Sequence, residues 1–148
     1  MPAQNPHFVF RELTQYLAED YEPLRLLMEA LTQSTRLTPD VLQAVIAHPD
    51  THLYVARHEG RIVACATLAL FLSPTGRKAS VEDVVVMPDY RGRGLGRALM
   101  QHVLREARRY APVALQLTSR PSRVAANALY RSLGFEQKDT NFYKLKID

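Results

Sequence analysis

Val84-Val85-Val86-Met87-Pro88-Asp89-Tyr90-Arg91-Gly92-Arg93-Gly94-Leu95-Gly96-Arg97 is a β-branched run that passes through a proline into a basic glycine loop and then into a helical pattern. The order strand, loop, helix makes an anion cradle. Backbone N–H groups at a helix start lack intrahelical partners, and the helix dipole adds partial positive charge there. Gly92, Gly94 and Gly96 carry no Cβ, so the backbone can approach a ligand closely. Arg91, Arg93 and Arg97 add charge and forked donors that suit phosphate. Two commoner phosphate loops are excluded. A dinucleotide fingerprint requires G-x-G-x-x-G, but Arg97 stands three residues after Gly94, and no G-x-x-x-x-G-K-[ST] string occurs.

Working outward from this loop, Lys78 to Met87 reads as the strand that feeds it, and Leu95, Leu99 and Val103, with Met100, Leu104 and Ala107 beside them, as a helix with one apolar face. Upstream, Phe8 to Leu13 alternates as a first strand, and Leu24, Leu27, Met28 and Leu31 follow helical spacing. Thr38-Pro39-Asp40 announces a short helix through Ala47. Leu53 to His58 and Arg61 to Leu72 form two strands joined by Glu59-Gly60, and Ser73 to Arg77 is a second turn. Downstream, Val113 to Thr118 is a strand. Ser122 is the expected cap of a last helix with Ala125, Ala128, Leu129 and Leu133 inward and Gly134 as its stop. Phe135 to Ile147 is expected to close the sheet with two short strands around Asp139-Thr140-Asn141.

The 148 residues fit one domain, and 23% charged with 47% hydrophobic residues mark a globular chain rather than a disordered one. No apolar run reaches the roughly 20 residues of a membrane helix. Met1-Pro2-Ala3-Gln4-Asn5-Pro6 lacks the basic-then-apolar layout of a signal peptide, so the cytoplasm is the expected compartment. The single cysteine, Cys65, agrees with that compartment and reads as a small buried hydrophobe. Arg91, Arg93, Arg97, Arg105, Arg108 and Arg109 stand against Glu106 alone, but without interleaved aromatics this charge does not make a nucleic-acid surface. His48, His52 and His58 lack metal-ligand spacing and are expected in loops or at the surface; no metal is expected.

The string R-x-x-G-x-G from Arg91 through Gly96, placed directly after a strand, resembles the pyrophosphate loop of the GNAT superfamily of acetyl-CoA-dependent N-acetyltransferases. Ala125-Ala126-Asn127-Ala128-Leu129-Tyr130-Arg131-Ser132-Leu133-Gly134-Phe135 is similar to the superfamily's late-helix segment A-x-x-L-Y-x-x-x-G-F. The order of elements agrees over nearly the whole chain. The resemblance implies an α/β fold with a mixed, splayed central sheet and helices on both faces, spanning residues 1–148 as one domain.

It further implies acetyl-CoA as co-substrate, bound by Arg91, Gly92, Arg93, Gly94, Leu95, Gly96 and Arg97. The backbone of Val84, Val85 and Val86 would hold the pantetheine arm and the acetyl oxygen, and Asn127 would contact the cofactor. Tyr130 is implied as the general acid facing the thiolate. Glu82 lies on the strand that feeds the loop, where strand propensity disfavours a carboxylate, and is the expected base. Asp83 should face the other side of the strand unless a bulge intervenes. Glu82-Asp83-Val84-Val85-Val86 also looks like the matching strand of glucosamine-6-phosphate N-acetyltransferases. The expected reaction is acetyl transfer to the primary amine of a small molecule such as an amino sugar or amino acid. The competing readings are a protein lysine or N-terminal acetyltransferase and a non-catalytic acetyl-CoA sensor; Glu82 and Tyr130 together argue against the sensor. Homodimerisation is an expectation of the family.

Overall fold

The computed structural model describes residues 7–34 and 36–148; the N-terminal hexapeptide read above for a leader lies outside them. Two compact units divide the chain, the first ending at Leu117 and the second running from Thr118 to Asp148.

The first unit is built on strands β1 (Phe8–Glu12), β2 (Thr51–His58), β3 (Arg61–Ser73), β4 (Gly76–Val86) and β5 (Ala114–Gln116). They lie in sequential order in one sheet. β1 to β4 pair antiparallel and β5 adds parallel to β4, so the sheet is mixed as expected. Tight turns make the antiparallel part local. Glu59 and Gly60 both take positive φ, +50° and +81°, the backbone of a two-residue hairpin turn that follows the strand twist. Ser73 pairs directly with Gly76 across Pro74-Thr75.

Helices α1 (Ala18–Leu31), α2 (Pro39–Ala47) and α3 (Leu95–Ala107) cover the sheet. The Thr38 hydroxyl accepts the Val41 N–H at 3.2 Å and caps α2 as its sequence announces. Leu24 and Leu27 of α1 and Leu42 of α2 share a core with Leu53, Val55, Cys65 and Val85 of the sheet. The alternate β2 residue Tyr54 meets His102 of α3 edge-on, their ring centroids 5.7 Å apart, which puts α3 on the opposite face. Leu95, Leu99, Met100 and Val103 of α3 are buried. Arg57 of β2 clamps α1 through a bidentate pair, Nη1 to Asp20 Oδ1 at 2.7 Å and Nη2 to Oδ2 at 2.8 Å, and Asp20 is only 3% exposed.

The second unit carries α4 (Val124–Ser132), which ends at Gly134 in a left-handed conformation, φ +99°, as the glycine predicts. Two expectations fail here. Ser122 does not cap α4: the helix begins one residue later, Arg123 holds the cap position without a side-chain bond, and Asn127 Nδ2 donates to the carbonyls of Arg120 and Arg123, both at 2.9 Å. Phe135 to Ile147 forms no strand. Tyr143, Leu145 and Ile147 keep the period of a half-buried strand yet are each more than four-fifths exposed. Alternation makes a strand possible, but a ladder partner is what holds one.

Candidate functional site

β4 is the spine of the site. Its pairing with β5 covers only Lys78, Ala79 and Ser80, after which β4 continues for six residues, Val81 to Val86, with no β5 residue beside it. The strand predicted over Val113 to Thr118 is thus reduced to three residues, and the sheet is splayed on this edge. On the other edge β3 supports β4 to its end, through Ala64 opposite Val86.

The β3–β4 ladder carries a bulge at the carboxylates. Thr67 pairs with Glu82 and Cys65 with Val85, so one β3 residue, Ala66, stands opposite both Asp83 and Val84. Glu82 and Val85, three apart, therefore share a face, which regular alternation forbids. Asp83 absorbs the extra residue at φ +52°, a region few non-glycine residues occupy and in which aspartate is enriched. The Cys65 Sγ approaches the Asp83 carbonyl at 3.8 Å. Burial pushes the Asp83 carboxyl above the ordinary aspartate range, and the adjacent Glu82 pushes it the same way. Burial likewise pushes the Cys65 thiol up to about 12, which suits the small buried hydrophobe read from its sequence. Glu82 is exposed and accepts a hydrogen bond from the Ser80 hydroxyl at 2.5 Å, two residues back on the same strand.

The valines divide as their positions dictate. Val85 is buried in the core, whereas Val84 and Val86 are half-buried. The Val86 carbonyl already accepts the Arg91 Nε–H at 3.1 Å, so this arginine fixes the loop to the strand end. The chain then makes a single 3₁₀ turn at Pro88–Tyr90. The Tyr90 hydroxyl lies 2.7 Å from His58 Nδ1, its ring packs against Phe8, and Arg93 lies over it at 5.2 Å. His58 is thereby tied into the structure rather than left at the surface. His52, likewise half-buried, lies 2.5 Å from Glu12 and 3.1 Å from the Tyr110 hydroxyl. Only His48 keeps the exposed loop role expected of all three.

The loop itself has a geometry that accepts anions. Gly92 and Gly94 both have left-handed φ, +78° and +76°, and Gly94 is the N-cap of α3. A Cβ on either would meet no atom within 4 Å, so the space in front of this backbone is open. Left-handed residues in a tight loop favour convergence of successive N–H groups on one side, and Gly94 stands at a helix start. Arg91, Arg93 and Arg97 are exposed around it. The Leu95 side chain is buried, which leaves its backbone as what it offers a ligand. An open glycine backbone ringed by arginines fits a pyrophosphate, and the unpaired length of β4 fits an extended amide-bearing arm.

Tyr130 and Asn127 lie on α4 in the second unit. Tyr130 is buried, its ring meets Phe135 at 6.1 Å, and burial raises its hydroxyl above the ordinary tyrosine value while Arg123 opposes the shift. Its phenol is therefore held protonated. The Asn127 amide donors bind the turn before α4. The bulge at Asp83, which the sequence reading left open, was not legible there, because nothing local distinguishes a bulge from a regular strand. Sequence reasoning missed the Asp20–Arg57 clamp, whose partners are 37 residues apart. Among the described residues no His, Cys, Asp and Glu side chains group as metal ligands, and no helix is long and apolar enough to cross a membrane.

Comparisons with known proteins agree with this geometry. The chain is 38% identical over 78 residues to the [ribosomal protein bS18]-alanine N-acetyltransferase of Escherichia coli (strain K12), a match covering 53% of this chain and 50% of that protein. It thus spans about half the length of that relative. An acetyltransferase structure from Trypanosoma brucei superposes with a TM-score of 0.76 at 25% identity, over 95% of this chain and 99% of that one. Glucosamine-6-phosphate N-acetyltransferase from Arabidopsis thaliana superposes with a TM-score of 0.78 over 93% and 97% of the two chains; at 19% identity this is a likeness of fold. Residues 10–135 match the acetyltransferase (GNAT) family model, and the chain belongs to that family.

Proposed function

We propose that this protein transfers an acetyl group from acetyl-CoA directly to a primary amine. The observation that carries the reading is the continuity of an unpaired β4 edge with the open Gly92–Gly94 backbone at the start of α3. Bound acetyl-CoA supplies an activated thioester carbonyl and a thiolate leaving group. The cradle from Arg91 to Arg97 binds its pyrophosphate, and backbone groups of Val84 to Val86 orient the arm and the acetyl oxygen. N–H donors fixed there before reaction stabilise developing negative charge without reorganising. Glu82 is the base that relieves the amine of its proton, and Tyr130, held protonated by burial, returns a proton to sulfur. Asn127 holds the turn before α4 and contacts the cofactor. The family match begins in the first compact unit and extends into the second as far as Phe135, so it takes in α4 with Asn127 and Tyr130.

The acceptor we propose is the amine of a small molecule, supported by the likeness of Glu82 to Val86 to the amino-sugar enzymes. A second reading, the α-amine of a protein N-terminus, is supported by the 38% identity to an enzyme named for the alanine of a ribosomal protein. Mass-detected transfer from acetyl-CoA to a panel of glucosamine 6-phosphate, glucosamine, amino acids, polyamines, a lysine peptide and an alanine-initiated peptide decides between them. An acetylated product establishes the enzyme and its acceptor class. Tight acetyl-CoA binding, with no product from any member, favours the sensor instead.

A further inference from the structure

Resting on the reading of Arg91 to Arg97 as the coenzyme A cradle, we infer that His58, the last residue of β2, is a positioning residue of that cradle. Through the Tyr90 hydroxyl it fixes where the loop begins and where Arg93 stands. The last ladder bond of β4 runs from the Met87 N–H to the Val63 carbonyl at 2.9 Å, after which the 3₁₀ turn Pro88–Tyr90 leaves the strand. β3 separates β4 from β2 in the sheet, so the turn spans a strand to bring the Tyr90 hydroxyl within 2.7 Å of His58 Nδ1. The two rings meet edge-on with centroids 5.4 Å apart. Phe8, the register partner of His58 on β1, packs against both, at 5.5 Å from His58 and 5.8 Å from Tyr90. Both His58 and Tyr90 are half-buried, which shields their bond from competing water.

The turn does not need His58 in order to form. Its own backbone closes it, with the Tyr90 N–H on the Met87 carbonyl at 2.9 Å and the Arg91 N–H on the Pro88 carbonyl at 3.3 Å. What His58 adds, from 32 residues away, is the place of the turn relative to the sheet. Beyond Tyr90 stand Arg91 to Gly94, and then Leu95, whose buried side chain fixes the far end of the loop. The two glycines between these anchors allow the backbone many conformations, of which few aim the N–H groups at one ligand. A loop anchored at one end only would have to be ordered by the ligand, and the binding-competent fraction divides the affinity. Arg93 depends on the same anchor. Its guanidinium lies over the Tyr90 ring at 5.2 Å, and among the described residues it forms no ion pair, so its charge remains for a phosphate.

Phenylalanine at either position keeps a ring and deletes the hydrogen bond. Coenzyme A binding to the intact chain is measured by calorimetric titration, well below the unfolding temperature of each variant. An untethered loop that holds its bound form about one-tenth of the time raises Kd about tenfold, and this is the effect expected of His58→Phe and of Tyr90→Phe. The double variant should bind no more weakly than either, because one bond is lost in all three. His58→Asn, whose amide both donates and accepts, should recover most of the affinity. In turnover, KM for acetyl-CoA should rise by the same factor while kcat at saturation stays within about twofold of wild type. Wild-type Kd in both single variants overturns the inference, as does a double variant weakened by the product of the single effects, or a fall in kcat with Kd unchanged. Should His58→Phe fail to fold, Tyr90→Phe, which alters only a turn outside the sheet, makes the same test. A wild-type chain that binds no coenzyme A overturns the cofactor reading, and the role of His58 with it. One that binds coenzyme A and acetylates no amine overturns the transferase reading alone, and the Kd series still decides on His58.

Discussion

Replacing Gly94 with alanine separates the conformational role of this residue from its role in binding. The new Cβ would meet no atom within 4 Å, so the cost to folding is conformational rather than steric. Holding an L-residue in the left-handed region costs about 1–2 kcal/mol, while alanine's smaller unfolded-state freedom returns roughly 0.4–1 kcal/mol. The net is a loss of about 1 kcal/mol, or roughly 2–4 °C in Tm for a chain of this size. Gly60 supplies the control, since its φ of +81° matches the +76° of Gly94 and its surroundings are equally open, but it sits in the β2–β3 turn. Gly60→Ala and Gly94→Ala should therefore lose the same stability. Only Gly94→Ala places a methyl group in the anion cradle, and it should weaken coenzyme A binding by at least about tenfold, or 1.4 kcal/mol. Because the chain has no tryptophan, urea unfolding is best followed by far-UV circular dichroism, with calorimetric titration for binding. A folded Gly94→Ala protein that binds coenzyme A as wild type does would refute the cradle, whatever its stability.

Three further predictions test other links. Arg57→Met leaves the 3%-exposed Asp20 carboxylate without its partner and should cost about 2–4 kcal/mol, less than a fully buried pair because Arg57 is partly solvated. Asp20→Asn combined with Arg57→Met should cost much less than the sum of the single changes; simple additivity in urea denaturation would show that the two are not coupled. Tyr130→Phe should lower kcat by about 100-fold with the acetyl-CoA Kd within about twofold of wild type, and unchanged turnover would remove the acid assignment. Since the Asp83 carboxyl is raised on folding, the native state binds its proton more tightly than the unfolded chain does. Stability should accordingly fall as pH rises from the ordinary aspartate range through the raised folded pKa, and Asp83→Asn should flatten that segment of the stability–pH curve.

Much of the site was legible because its parts are local. Gly92 and Gly94 advertise left-handed backbone, Arg91 to Arg97 advertise an anion, and the apolar spacing from Leu95 to Val103 announces the helix that aligns its N–H groups. Thr38-Pro39 and Gly134 likewise mark helix ends through interactions with their immediate neighbours. The errors fall where a partner distant in sequence decides. Tyr143, Leu145 and Ile147 alternate like a strand but have no ladder in the described structure. His52 and His58, read as loop or surface residues, are drawn inward by Glu12, Tyr110 and Tyr90.

The sequence by itself determined the order of strands and helices as far as α4, the anion loop and the identity of the titratable groups, because periodicity, glycine angles and side-chain charge are properties of residues and their near neighbours. Tertiary structure alone decided where β4 loses its β5 partner, that the ladder bulges at Asp83, and that Asp20 and Arg57 neutralise each other beneath α1. Those features depend on which distant segments share hydrogen bonds and how far water is excluded. A carboxylate's chemistry is set by that environment, which no single stretch of chain specifies.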